Sequence, residues 1–298
     1  MTDTHLRAGG AVRRRPAPTA PDAAAAPSRI RALGYFRGQF LLSWRVFWRN
    51  RRSTFIGFLL PVLLDLVVAA PLRDRTIGGV NAAGYTTIGF IGLAMVTSFV
   101  NLLTAVVSRR DELVLKRLRG TEVPPWAVFA GQLAGGAVVL LIQTVILGGV
   151  SVVWFHAPPP ADPVLFLVAL AAGYLVFGLL ALALSGFTPG TETAPLVATP
   201  VLLLCMFGAG VFTPLQSLPG PLRPLAADLP LAPVIKALRT GWFGRGFGHE
   251  TWDGAALHRL GVLDGWQSAG PSLLITAAWA AAAVMVTRRR FRWEPRRD

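Results

Sequence analysis

Ser108-Arg109-Arg110-Asp111-Glu112-Leu113-Val114-Leu115-Lys116-Arg117-Leu118-Arg119-Gly120-Thr121-Glu122-Val123-Pro124-Pro125 is a charged island between two nearly uncharged runs, 83–107 and 126–155. Either run is long enough to cross a bilayer, which takes roughly 20 residues. The island holds five basic and three acidic residues in eighteen positions. Leu113, Leu115, Leu118 and Val123 keep an apolar stripe through it, with Leu115 and Leu118 at a helical spacing of three. Gly120, Pro124 and Pro125 form a stop signal. The pattern predicts a short amphipathic helix at the membrane face, where a soluble partner can grip it. A plainer reading makes it only the positive loop that orients two spans.

Outward from the island the chain stays apolar. Of its 298 residues 53% are hydrophobic, and mean hydropathy is +0.53. That composition points to an integral membrane protein rather than a soluble domain. The net charge of +14 would suggest nucleic acid in a soluble chain. Here the charge gathers at span ends, so topology accounts for it and no nucleic-acid partner is expected. Cys205 is the single cysteine, which excludes an intrachain disulfide and a cysteine-based metal site.

Hydropathy divides the sequence into an all-α membrane protein. Residues 1–28 are rich in Ala, Pro and Arg without a hydrophobic period, and read as a disordered basic tail. Residues 29–52 place Phe36, Phe40, Trp44 and Trp48 at intervals of four among arginines. This is expected to be an amphipathic elbow helix lying in the membrane interface and touching lipid. Six spans are predicted at about 54–70, 83–107, 126–155, 164–187, 195–212 and 271–287. Residues 29–298 thus form one transmembrane domain. Pro61 interrupts the first span. Gly131 and Gly135 make a small-xxx-small pair in the third. Between the fifth and sixth spans, apolar pieces broken by prolines are expected to be short re-entrant or interfacial helices at the outer face. With both ends inside, 22 basic residues fall on the inner segments and 7 on the outer ones. This asymmetry predicts cytoplasmic termini in a multi-pass protein of the cell membrane.

Polar residues inside the spans are candidates for a substrate path. Asp65 lies in the first span, and a centred Asp costs about 2.5–3.5 kcal/mol to insert. It either makes a polar contact, in such a path or between helices, or reaches outer water, alone or paired with Arg73 or Arg75. In the second span Thr97, Asn101 and Thr104 share a face. Such residues usually hydrogen-bond between helices, and a path-lining role for Asn101 and Thr104 is the alternative. No phosphate-binding loop, zinc-protease motif or nucleophile elbow is present in the sequence. No catalytic residue, metal or resident cofactor is therefore expected.

In order along the chain, four segments resemble the membrane subunit of type-2 ABC transporters, the permease group that includes daunorubicin and doxorubicin resistance exporters. They are the elbow into the Pro-containing first span (Trp44 to Pro61), the island, and Gly210-Val211-Phe212-Thr213-Pro214-Leu215 with its continuation through Leu229-Pro230-Leu231 to Ala237-Leu238-Arg239. The fourth is the tail Arg290-Phe291-Arg292-Trp293-Glu294-Pro295, which is similar to actinobacterial members. Glu122 departs from the pattern, since members often carry Pro after Thr121. The resemblance implies a non-enzymatic permease subunit, paired with a second copy or a related chain and docked on a separate ATPase that binds ATP and magnesium. It implies export of an amphipathic compound such as a drug, lipid or glycan precursor. It also makes the island the ATPase contact, with Glu112, Leu115, Lys116, Arg117 and Arg119 as the contact residues. The competing reading is a secondary transporter or channel needing no ATPase; the hydropathy has no inverted repeat to favour it.

Overall fold

The computed structural model describes residues 29–49, 55, 59–113, 125–211, 219–247 and 257–291. Among these the chain is a helical bundle. Helix α1 is Arg29–Arg49, α2 Leu60–Ala69, α3 Ala82–Asp111, α4 Pro125–Val153 and α5 Pro163–Ser185. They are followed by α6 Ala194–Gly208, α7 Leu222–Ala227, α8 Leu231–Phe243 and α9 Val262–Arg290.

Helix starts follow from local chemistry. Asn81 opens α3, its side-chain oxygen accepting from Gly84 N at 2.8 Å, while its amide nitrogen donates to Arg73 O and Phe155 O at 2.8 and 3.1 Å. One residue thus caps a helix and ties two turns to it. Asp162 caps α5 through Leu165 N at 2.9 Å, with Pro163 in the first turn, where its missing N–H is harmless. Pro61 likewise occupies the first turn of α2, directly after a π-helical position at Leu59. A two-residue hairpin, β1 Thr76–Ile77 and β2 Val80–Asn81, links α2 to α3. Gly78 and Gly79 form its turn with φ of 58° and 75°, which side-chain-bearing residues avoid.

Helices α3 and α5 form the centre. Phe90, Phe99, Leu103 and Phe177 are fully buried there, and Phe99 meets Phe177 edge-on at 6.2 Å. Helix α9 packs on α5, α4 on α3, and α1 along α4. At Gly131 the backbone of α1 comes so close that a Cβ would lie 3.0 Å from Phe40 N. Helix α8 is wedged between α3, α5 and α9, with every residue buried except Lys236. By contrast, α6 is mostly exposed and packs mainly on α3.

Five helical stretches are long and apolar enough to cross a membrane: 82–111, 129–153, 163–185, 191–208 and 262–290. Residues 60–72 form a shorter apolar helix. The chain is thus an all-α, multi-pass membrane protein. Three boundaries differ from the expected ones, the first being that α3 runs on to Asp111, four residues past the expected end at 107. The last long helix begins at Val262 and carries Pro271 inside it, whereas the sequence suggested a start at Pro271. Neighbouring groups in a packed bundle re-satisfy the carbonyl that a proline frees, so proline does not mark a boundary there. Helix α6 ends at Gly208, four residues early, and Gly210 turns with φ 70°.

Candidate functional site

Helix α3 carries one polar face that is not packed away. Thr97, Asn101, Thr104, Ser108 and Glu112 follow one another at intervals of four, three, four and four, a single stripe on a helix. Asn101 and Glu112 are exposed and the other three half-buried. The Thr97 and Thr104 hydroxyls donate to Leu93 O and Val100 O in the preceding turn, at 3.1 and 2.9 Å. Ser108 Oγ donates to Glu112 Oε1 at 2.8 Å. Asn101 stands outermost on this face. A bare amide facing lipid is expensive, which sets this face apart from the apolar faces of the bundle.

At its C-terminal end α3 is not a free surface helix. Arg110 is 3% exposed. Its Nη1 donates to Ser185 O at 2.9 Å, and its Nη2 to Thr188 O and Pro189 O at 2.6 and 3.0 Å. Asp111 Oδ2 accepts from Thr191 N at 2.8 Å and from Thr191 Oγ1 at 2.7 Å. The Arg110 cation therefore sits on the last carbonyl of α5 and on two carbonyls of the turn that follows it. The Asp111 carboxylate caps the 3-10 turn Thr191–Thr193, which leads into α6. Each charge has the sign that the helix end it meets prefers. Beside this clamp, Phe291 stacks edge-on against Phe129 at 5.3 Å.

The island is not one helix. Glu112 closes α3 and Leu113 adopts φ 59°. A left-handed leucine ends α3 there; the short helix expected over the rest of the island falls on 114–124, outside the described residues. Of the expected ATPase contacts, Glu112 is exposed at this break. Leu115, Lys116, Arg117 and Arg119 lie outside the described residues, as do the segments 212–218 and 292–298.

Asp65 points inward. It has no exposed surface, faces α3, and lies 3.2 Å from the Thr87 hydroxyl through Oδ2. Its Oδ1 has no hydrogen-bond partner among the described residues. No ion pair joins it to Arg73 or Arg75; Arg73 instead pairs with its neighbour Asp74 at 3.2 Å. Asp65 therefore does not join Asn101 and Thr104 on one surface in this conformation.

A second clamp, unforeseen in the sequence, lies near the N-terminal part of α3. Arg239 on α8 is 4% exposed. Its Nη2 lies 3.1 Å from Tyr85 O, 2.9 Å from Gly210 O and 3.4 Å from Val211 O. Its guanidinium carbon stands 3.3 Å from the centre of the Tyr85 ring, a cation–π contact. Helix α3 meets the same chain segment directly: a Cβ on Gly89 would fall 2.4 Å from Val211 O. Arg239 thus ties α8 and the start of α3 to the turn that leaves α6. A second cation, three residues after Lys236 in a mostly apolar helical stretch, was the available signal.

Among the described residues no group of three or more His, Cys, Asp and Glu is placed to hold a metal ion. No curated protein matches the chain. The family model of the ABC-2 type transporter matches residues 40–243, from the second half of α1 through the end of α8. The match takes in the stripe, both clamps and the island, and the chain belongs to the ABC-2 type transporter family, as a membrane transport component and not a catalytic one.

Proposed function

We propose that the chain is the permease subunit of an ATP-driven exporter, which moves an amphipathic compound such as a drug, lipid or glycan precursor out across the cell membrane. The observation that carries this is the polar stripe of α3. It runs from the middle of a span to the island and leaves Asn101 exposed. In a working assembly that face lines a path between this chain and a second permease copy. The exposed leucines of α2 and α6, among them Leu63, Leu196 and Leu204, supply the apolar remainder of the wall.

In this reading the 60–72 segment, with residues before it, completes a sixth span, and α1 lies in the inner interface. The termini are cytoplasmic, and α7 with α8 forms the re-entrant outer cap. A separate ATPase binds ATP and magnesium and grips the island at Glu112, Leu115, Lys116, Arg117 and Arg119. Nucleotide then biases an interface between two arrangements. Daunorubicin-like cargo and a role in antibiotic resistance follow from the same reading.

The test is co-expression with an ATPase carrying a phosphate-binding loop from a neighbouring reading frame. The complex is expected to co-purify and to hydrolyse ATP, while the permease alone hydrolyses none. Glu112→Lys is expected to weaken ATPase binding tenfold or more, about 1.4 kcal/mol, with membrane insertion unchanged. Hydrolysis by the pure permease, or binding of Glu112→Lys at parental strength, would sink the reading.

A further inference from the structure

Helix α6 is exposed along most of its length and packs chiefly on α3. Along its length it packs on α3 and the core through Ala198 and Cys205, and both of its ends are held by further contacts. At the C-terminal end of α6 Arg239 and Gly89 hold the turn 210–211. At its N-terminal end the attachment runs through two consecutive residues of α3. Asp111 takes both donors of Thr191, at 2.8 and 2.7 Å, and the turn it caps runs without a break into α6 at Ala194. Arg110 takes three carbonyls between Ser185 and Pro189.

These five hydrogen bonds span 75 to 80 residues of sequence. All involve a charged group, the stronger class of hydrogen bond. They start one and two residues before Glu112, and the helix breaks at Leu113. Movement of Glu112, at the C-terminus of α3, therefore reaches the base of α6 through charged contacts. The stripe of α3 is rooted in the same clamp, so that face and α6 share one anchor.

We infer that Arg110 and Asp111 are positioning residues that carry movement of the island onto α6, making α6 the helix displaced when nucleotide binds the partner. This rests on the ATPase-coupled reading above.

The test uses the full permease–ATPase complex in liposomes. Cys205 is replaced by serine, and spin labels are placed on Leu203→Cys of α6 and Leu175→Cys of α5, both exposed. In the parent, the label distance is expected to differ between the nucleotide-free complex and the complex trapped with ATP and vanadate. Thr191→Val removes one donor to Asp111, and Asp111→Asn removes the charge. Both are expected to abolish most of the shift while binding the ATPase within about threefold of the parent. Thr191→Ser keeps both donors and is expected to keep the shift.

Several results overturn the inference: a full shift in Asp111→Asn and Thr191→Val, no shift in a parent complex that hydrolyses ATP, or equal loss of ATPase binding in both variants. The last would mean that the pair only shapes the docking surface. Should Asp111→Asn fail to fold, Thr191→Val against Thr191→Ser decides alone. A parent that neither binds nor is served by an ATPase would instead sink the coupled reading, and this inference with it.

Discussion

Gly89→Ala tests the Arg239 clamp with a single methyl group. The new Cβ would lie 2.4 Å from Val211 O and 3.1 Å from Val211 C and Cα. The closest ordinary carbon–oxygen contact is about 3.3 Å, so α3 and the 210–211 backbone must separate by nearly that difference. Backbone cannot rotate away as a side chain can, and overpacking of this kind costs about 1–3 kcal/mol. The same retreat strains the Arg239 bonds to Gly210 O and Val211 O; a hydrogen bond to a charged group is worth about 1.5–3 kcal/mol. Against this, alanine gains about 0.5–1 kcal/mol over glycine inside a helix. The balance is a loss of about 2 kcal/mol, or a melting point lower by about 4 °C at roughly 2 °C per kcal/mol. Gly149→Ala on α4 is the control, because nothing lies within 4 Å of its Cβ position. It keeps only the helix gain and should melt about 1 °C higher. Thermal unfolding in detergent followed by size-exclusion fluorescence reads both variants. If Gly89→Ala melts at or above the parent, the close approach of α3 to the 210–211 turn is wrong, and so is the clamp built on it.

Arg239→Lys should fail to restore the same clamp. A lysine ammonium is a point charge without a planar fork to stack on Tyr85 while reaching several carbonyls, so the yield of monodisperse protein should fall towards that of Arg239→Ala. Asp65→Asn should insert and melt like the parent, because an amide still accepts from Thr87 across the α2–α3 contact. Asp65→Lys should accumulate poorly, since it buries a cation where the described neighbours offer no carboxylate; equal yields of the two would show that the site is open to water. A reporter active only outside the membrane, fused after Asp298, should be silent, and a strong signal there would refute the cytoplasmic C-terminus drawn from the 22-to-7 distribution of basic residues.

What could be read from the sequence alone was what depends on near neighbours. The spans followed from unbroken apolar runs, because transfer into lipid sums over some twenty adjacent residues. The island stood out as the charged gap between two of them. The stripe through Asn101 and Thr104 was legible because helical spacing is local. The Gly78-Gly79 turn is equally local, since adjacent glycines favour the positive φ that it needs. Pro271 misled because proline breaks helices in water but is tolerated where neighbouring helices supply partners. The clamps lay beyond any such reading. Arg110 and Asp111 looked like loop charges, and their partners, Ser185 to Thr191, are 75 to 80 residues away. Arg239 meets Tyr85 across 154 residues. A buried charge is stable only if its acceptors arrive from elsewhere in the chain, and only the tertiary structure determines which carbonyls arrive. Tertiary packing likewise made α8 wholly internal and left α6 exposed, although both are apolar helices in the sequence.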